Sequence, residues 1–285
     1  MTGAEAIRRA IAASVDRLVR HDPVVREGSD PEGVHQARVA TRRLRSDLRT
    51  FSPLLDPEWV AGLREELSDF AGLLGAVRDA DVLLIRLRKA AATLPEPERE
   101  AAGRVLADLE ASRATERAKL LTAMDDDRYR TLLDDLHHAA AEPQVRPEVA
   151  DQDAAEVLPA LAARPWRRLR HGVAALGGDP PDAALHEVRI LAKRARYAAE
   201  AVAPVVGREA TDFAKAVAGL QEVLGEHHDA VVAQGWLRDA ASRHPEAAFA
   251  AGTLAGLEQA EAARQRAAWP EAWQAASLKR LRTWM

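Results

Sequence analysis

The chain contains no cysteine, which excludes a disulfide framework, a thiolate metal site and a cysteine nucleophile. Aromatic residues are scarce, at 4% of 285 positions. Long apolar runs are missing too, and nothing approaches the ~18 residues that a membrane helix requires. The opening "MTGAEAIRRAIAASVDRLVRHD" is amphipathic, because Arg8, Arg9, Asp16 and Arg17 interrupt its apolar residues. It does not read as a signal peptide, so a cytoplasmic location is expected. A bulk excess of positive charge is also lacking: the formal net charge is −4. Any basic site must be local, set against an acidic remainder.

What is present is Ala, Leu, Arg and Glu, a composition that favours an all-α protein. Periodicity and punctuation predict helices near 4–21, 31–52, 57–91, 97–123 and 127–141, then near 154–176, 181–205, 209–243, 245–268 and 270–284. "DPEGVHQAR" and "DPPDAALHEVR" both set Asp and Pro at a helix start, which suits capping and the first turn. "AEPQVRPEVADQD" (141–153) has two prolines and little periodicity. It reads as a linker between a bundle at 1–140 and another at 154–285.

Those halves repeat. "VHQARVATRRLRS" (34–46) aligns with "LHEVRILAKRARY" (185–197). His35 falls on His186, Arg38 on Arg189, Arg42 on Lys193, Arg43 on Arg194 and Arg45 on Arg196. About forty residues further on in each half, "LLGAVRDADVL" matches "VLGEHHDAVVA", with Gly75 on Gly225, Arg78 on His228 and Asp79 on Asp229. Two blocks recurring in order at nearly the same separation indicate an internal duplication of a helical unit.

The first block carries a specific geometry. At 100° per residue, His35, Arg38, Arg42, Arg45 and Arg49 lie within roughly 80° of one another, a stripe roughly 21 Å long. Val34, Ala37, Leu44, Leu48 and Phe51 form an apolar stripe about a quarter-turn away. The second block repeats the pattern with His186, Arg189, Lys193 and Arg196. Like charges at this spacing repel, each pair costing a few tenths of a kcal/mol even when exposed. A row of arginines on a helix is ordinarily a solvated face laced with salt bridges. Here acidic neighbours are few: Asp47 interrupts the first segment, and of Glu187 and Glu200 only Glu200 lies on the second stripe. Something anionic is expected to neutralise both rows.

These blocks closely resemble the CHAD family (conserved histidine α-helical domain) over essentially the whole chain, read as one domain, 1–285. The resemblance implies an all-α fold of two pseudo-symmetric four-helix bundles whose basic helices line a central cavity. It also implies binding of inorganic polyphosphate. His35, Arg38, Arg42, Arg43 and Arg45 would line one half of the cavity, with Arg49 extending the stripe. His186, Arg189, Lys193, Arg194 and Arg196 would line the other half. Family members are often fused to a CYTH-type triphosphatase domain. No stretch here is left for one, so a stand-alone binding module is expected, with polyphosphate granules as the place to meet its ligand.

The residues suit that ligand. Polyphosphate offers closely spaced negative charge and no base or sugar to read, and arginine forks match phosphate oxygens. Phe51 and Tyr197 are isolated near the stripes, whereas a single-stranded nucleic-acid site is expected to offer stacking platforms. Nucleic acid therefore ranks below polyphosphate as a partner. Arg78 and His228 are secondary candidates; the adjacent Asp79 and Asp229 are expected to hold basic side chains or cap a turn. Gly75 and Gly225 are expected to permit close helix approach or a local break rather than to contact ligand. Arg113 and Arg264 occupy similar places in the fourth helix of each half and could extend the basic lining.

No metal or other cofactor is expected. The adjacent histidines of "LGEHHDA" and "DDLHHAA" point about 100° apart on a helix, and cations at i+3 and i+7 from His35 and His186 repel a metal ion. Catalysis is likewise not expected. A phosphohydrolase would gather carboxylates around Mg²⁺ beside the cleft. Asp79, Asp81 and Asp229 are available, but each half supplies one matching aspartate. Metal-dependent hydrolysis of polyphosphate or triphosphate and generic polyanion binding remain the alternatives.

Overall fold

The computed structural model describes residues 1–28 and 30–285, and among them it is all-helical, with two isolated β-bridges, Thr2 to Asp153 and Leu55 to Val145. The first half comprises α1 (Gly3–Glu27), α2 (Pro31–Phe51), α3 (Pro57–Ala91), α4 (Glu96–Asp125) and α5 (Asp127–Ala141). Two short helices follow, α6 (Pro147–Ala150) and α7 (Ala154–Val157). The second half comprises α8 (Pro159–Ala174), α9 (Asp182–Val206), α10 (Arg208–Arg243) and α11 (Ala248–Ala276).

Capping explains several starts. The Asp30 side chain accepts from the Glu32 N–H to open α2, and Asp56 accepts from the Trp59 N–H to open α3. α1 and α11 run further than the proline punctuation predicts. Pro23 and Pro270 sit inside them and are carried because flanking turns are held by packing, Val25 and Ala276 both being buried. α1 stops instead at Gly28, whose φ of 72° closes the helix through its N–H to the Val24 carbonyl. The helix expected over 154–176 is divided at Leu158, where Pro159 starts a new helix.

The 141–153 segment is pinned to the first half rather than left free. The Gln144 carbonyl accepts from Asp56, the Arg146 N–H donates to Leu54, and the Gln152 carbonyl accepts from Gly3.

Three apolar cores hold the helices. One gathers α1, α2, the start of α3, the end of α4 and α5, and draws in Ala198, Ala201 and Val202 of α9. A second lies among α8, α9, the start of α10 and the end of α11, where Trp166 stacks on Trp273. The third joins the halves: Leu84, Leu87 and Leu106 of α3 and α4 meet Leu237, Ala240 and Leu254 of α10 and α11. α2 and α9 also touch each other, outside this third core. The long helices α3 and α10 therefore run past both short basic helices before meeting at the far end. That arrangement leaves a space walled by α2, α3, α9 and α10.

Candidate functional site

The apolar faces of α2 and α9 fix where their basic faces point. Val34, Ala37, Leu44, Leu48 and Phe51 are buried on α2, and Leu185, Val188, Ala192, Ala195 and Ala199 are buried on α9. The neighbouring stripes are thereby turned into the space between the helices. A cleft of about 410 Å³ opens there. His35, Arg38 and Arg42 reach it from α2, Arg78, Asp79 and Arg86 from α3, Arg189 and Lys193 from α9, and His228 and Asp229 from α10. Both copies of the repeated blocks thus contribute to one site.

The electrostatics are those of crowded cations. Burial, then Arg189, Arg42, Arg38 and Arg49, lowers the Lys193 ammonium to about 8. Burial also depresses His35, followed by Arg78, and depresses His186, followed by Arg189. His228 falls to about 4 through burial and then its neighbour His186, whose ring centroid lies 4.0 Å away. These histidines are neutral at pH 7 and can each donate one hydrogen bond. Burial raises Asp229 despite the opposing Arg189. The Nε atoms of Arg42 and Arg189 and the Nδ1 of His186 are buried with no hydrogen-bond partner among the described residues.

Gly75 makes room for an arginine rather than for the neighbouring helix backbone expected from the sequence, whereas Gly225 has space for a side chain. A Cβ on Gly75 would come within 2.6 Å of the Arg38 guanidinium, and one on Gly225 within 3.7 Å of Arg189 Nε. Arg38 lies over α3 in this way and donates to Asp79 at 3.0 Å. Asp79 therefore holds a basic side chain, the role expected for it.

Other candidates are placed elsewhere. Arg43 turns away to ion-pair with Asp47 and Glu200, and Arg196 donates to the same Glu200 at 2.7 Å while its guanidinium lies over the Tyr197 ring. Arg45 donates to Ser68 at 3.0 Å. Arg113 is bound to the buried Asp81, and Arg264 is exposed beside Glu261. Arg49 and Arg194 line a separate cleft with Arg64, Arg164, Arg167 and Arg168. Arg86 was not legible as a site residue, since the repeat sets Trp236 opposite it. It is held by Glu258 at 2.7 Å and Glu226 at 2.9 Å. Among the described residues, no group of three or more His, Asp or Glu side chains is placed to hold a metal ion, and no helix is long and apolar enough to cross a membrane.

The family model for the CHAD domain matches residues 9–238. The chain belongs to the CHAD family. Two solved structures are similar to this CHAD domain. PptA from Streptomyces chartreusis is 28% identical, with a TM-score of 0.78 over 96% of this chain and 100% of that one. The CHAD domain from the plant Ricinus communis is 28% identical, with a TM-score of 0.77 over 98% and 93%. An uncharacterized protein of Mycobacterium tuberculosis, Rv2226 in strain H37Rv and MT2285 in strain CDC 1551, is 32% identical over 243 residues. The match covers 81% of this chain but 44% of those relatives, so it spans less than half their length.

Proposed function

We infer that the cleft between α2, α3, α9 and α10 binds inorganic polyphosphate without cleaving it. The observation that carries this reading is the convergence of both stripes. Arg42, Arg78, Arg189 and Lys193 meet in one cleft with no carboxylate ion pair among the described residues, while Arg38 and Arg86, on its wall, are paired. A linear polyanion neutralises such a row; a compact monoanion does not. Arg42 Nε and Arg189 Nε are buried donors that phosphate oxygens would satisfy. Membership of the CHAD family supports a polyphosphate-related ligand. The two halves act as a duplicated unit, each supplying one basic helix to a common cavity.

Asp79 and Asp229 both face this cleft, which gives hydrolysis assisted by Mg²⁺ its one structural foothold. Incubation with long-chain polyphosphate, with and without Mg²⁺, followed by native and denaturing electrophoresis, separates the readings. Retained chain length with a retarded complex is expected. Shortening that requires Mg²⁺ would replace binding by hydrolysis, and an unretarded, intact chain would overturn both.

A further inference from the structure

Of the 40 Lys and Arg residues in the chain, five are lysine. Lys89, Lys119, Lys215 and Lys279 are exposed at the surface. Lys193 is half-buried in the middle of α9 and is the one primary amine among the described residues that line the cleft. The cations around it come from three helices: Arg38 and Arg42 of α2, Arg78 and Arg86 of α3, and Arg189 of α9. The carboxylates facing the same space do not offset them. Asp79 is taken by Arg38, burial raises Asp229, and no salt bridge among the described residues reaches Lys193. His35 and His228, which also face the cleft, are kept neutral by burial first and by neighbouring basic groups second.

Two properties follow from this setting. The first is reactivity. Burial, then Arg189 and Arg42, disfavours the charged amine and brings Lys193 down to about 8. About 10% of it is free amine at pH 7, against roughly 0.04% of an unperturbed lysine. A weaker base is also a weaker nucleophile, as thiols show, so the net advantage is on the order of tenfold. The second property is capture. Arginine forks that grip a phosphate group concentrate beside this amine any small reagent whose leaving group is phosphate. The repeat sets Arg42 opposite Lys193, and a guanidinium keeps its proton, so the first half offers no equivalent nucleophile.

We propose that Lys193 is a modification site, acylated directly by small acyl phosphates that the cleft arginines capture, and that acylation weakens the hold of the cleft on polyanions. This rests on the reading of the cleft as a phosphate site. In the step, the Lys193 nitrogen bonds to the acyl carbon while the bond from that carbon to the phosphate oxygen breaks. Inorganic phosphate leaves with the electron pair, and the surplus proton on nitrogen passes to water. The product is a neutral amide. The cleft then keeps Arg42, Arg78 and Arg189 as its cations without a carboxylate partner among the described residues.

The test treats the full chain with acetyl phosphate at about pH 8, where half of Lys193 is free amine, and follows each lysine by quantitative peptide mass spectrometry. N-hydroxysuccinimidyl acetate, which carries no phosphate, is the comparison reagent. Acetyl phosphate should modify Lys193 at least about tenfold faster than any exposed lysine, and long-chain polyphosphate should block the reaction. The preference should shrink several-fold with the phosphate-free reagent. Lys193→Gln, which imitates the amide, should weaken polyphosphate binding about tenfold. Its slope of log affinity against log salt should move from about −3, for four unpaired cations, toward about −2. Lys193→Arg should keep the affinity and gain no acetyl group at this position. Circular dichroism checks that both variants keep their helix content. Acetylation of Lys193 no faster than of the exposed lysines, or equally selective with the phosphate-free reagent, would overturn the proposal. So would unchanged polyphosphate affinity in Lys193→Gln. Selective acetylation of a wild type that binds no polyphosphate would instead strike the functional reading, while the modified lysine would stand.

Discussion

Replacement of Arg42 tests the site at the point where the two halves meet. Its guanidinium lies 5.6 Å from the Tyr197 ring centroid, its Nε is a buried, unpartnered donor, and it sits near enough to Lys193 to depress that ammonium. Arg42→Ala deletes one charge-assisted contact to phosphate, which is worth roughly 2 kcal/mol or about 30-fold in affinity. Arg42→Glu deletes the same contact and adds a carboxylate about 5 Å from the bound chain. At an effective dielectric near 20 the repulsion adds about 3 kcal/mol, for a total loss of more than roughly 10³-fold. Stability should move the other way. The free protein gains by removing a cation from a self-repelling cluster, and a carboxylate there faces Lys193 and Arg189. The melting temperature of Arg42→Glu should therefore equal or exceed that of the wild type. Titration calorimetry with long-chain polyphosphate and thermal melts followed by circular dichroism measure the two quantities. Affinity within threefold of the wild type in Arg42→Glu, or a lowered melting temperature accounting for the loss, would refute the reasoning.

Three further outcomes are expected. A bound polyanion favours protonation of Lys193, lowered to about 8 in the free protein, and of the depressed His35 and His186. Affinity should therefore fall as pH rises through about 8 and climb as it drops below the ordinary histidine range; a flat profile would contradict the assignment. Gly75→Ala should push Arg38 off Asp79 and weaken binding several-fold, whereas Gly225→Ala, with room for its methyl group, should stabilise α10 by about 0.5–1 kcal/mol. Equal behaviour of the two in binding and melting experiments would contradict the room assigned to each guanidinium. Asp47 is 1% exposed, and burial raises its carboxyl to about 7 against the pull of Arg43. A raised folded-state value contributes stability that is full below the ordinary carboxylate range and is lost as pH rises from there through about 7. Asp47→Asn should therefore gain on the wild type from about pH 4 upward, with the largest margin in melting temperature above about pH 7; a margin that does not grow between about pH 4 and about pH 8.5 would contradict this.

The placement of α2 and α9 was legible because apolar and basic residues follow the same 3.6-residue period, so burying one stripe aims the other. Helix ends at prolines were read less well. Pro23 and Pro270 look like stops in isolation, yet buried neighbours on both sides carry the helix through. At the site, the stripe appeared uniform in sequence and divides in space. Arg43 and Arg196 belong with Glu200 across the seam between α2 and α9, a pairing 157 residues apart for Arg43 that no local pattern reports. Arg49 lies two helical turns beyond Arg42, and Arg194 points about 100° around α9 from Lys193, so both line the other cleft. The basic run "ARPWRRLRH" in α8 drew no site assignment from the sequence. What the sequence could not convey was that α3 and α9 bring Arg64 and Arg194 against it without a carboxylate. Arg86 was hidden for another reason: its partners, Glu226 and Glu258, lie in the other half and its repeat position is tryptophan.

The central claim is that cations from both halves converge on one phosphate chain. Calorimetric titration with long-chain polyphosphate, repeated with single-stranded DNA of matched charge at several salt concentrations, tests it most directly. The account predicts tight binding of polyphosphate, weak binding of DNA, and a salt slope at least as steep as about −3. Equal affinity for both polymers would reduce the cleft to a generic polyanion groove, and no binding of polyphosphate would contradict the account outright.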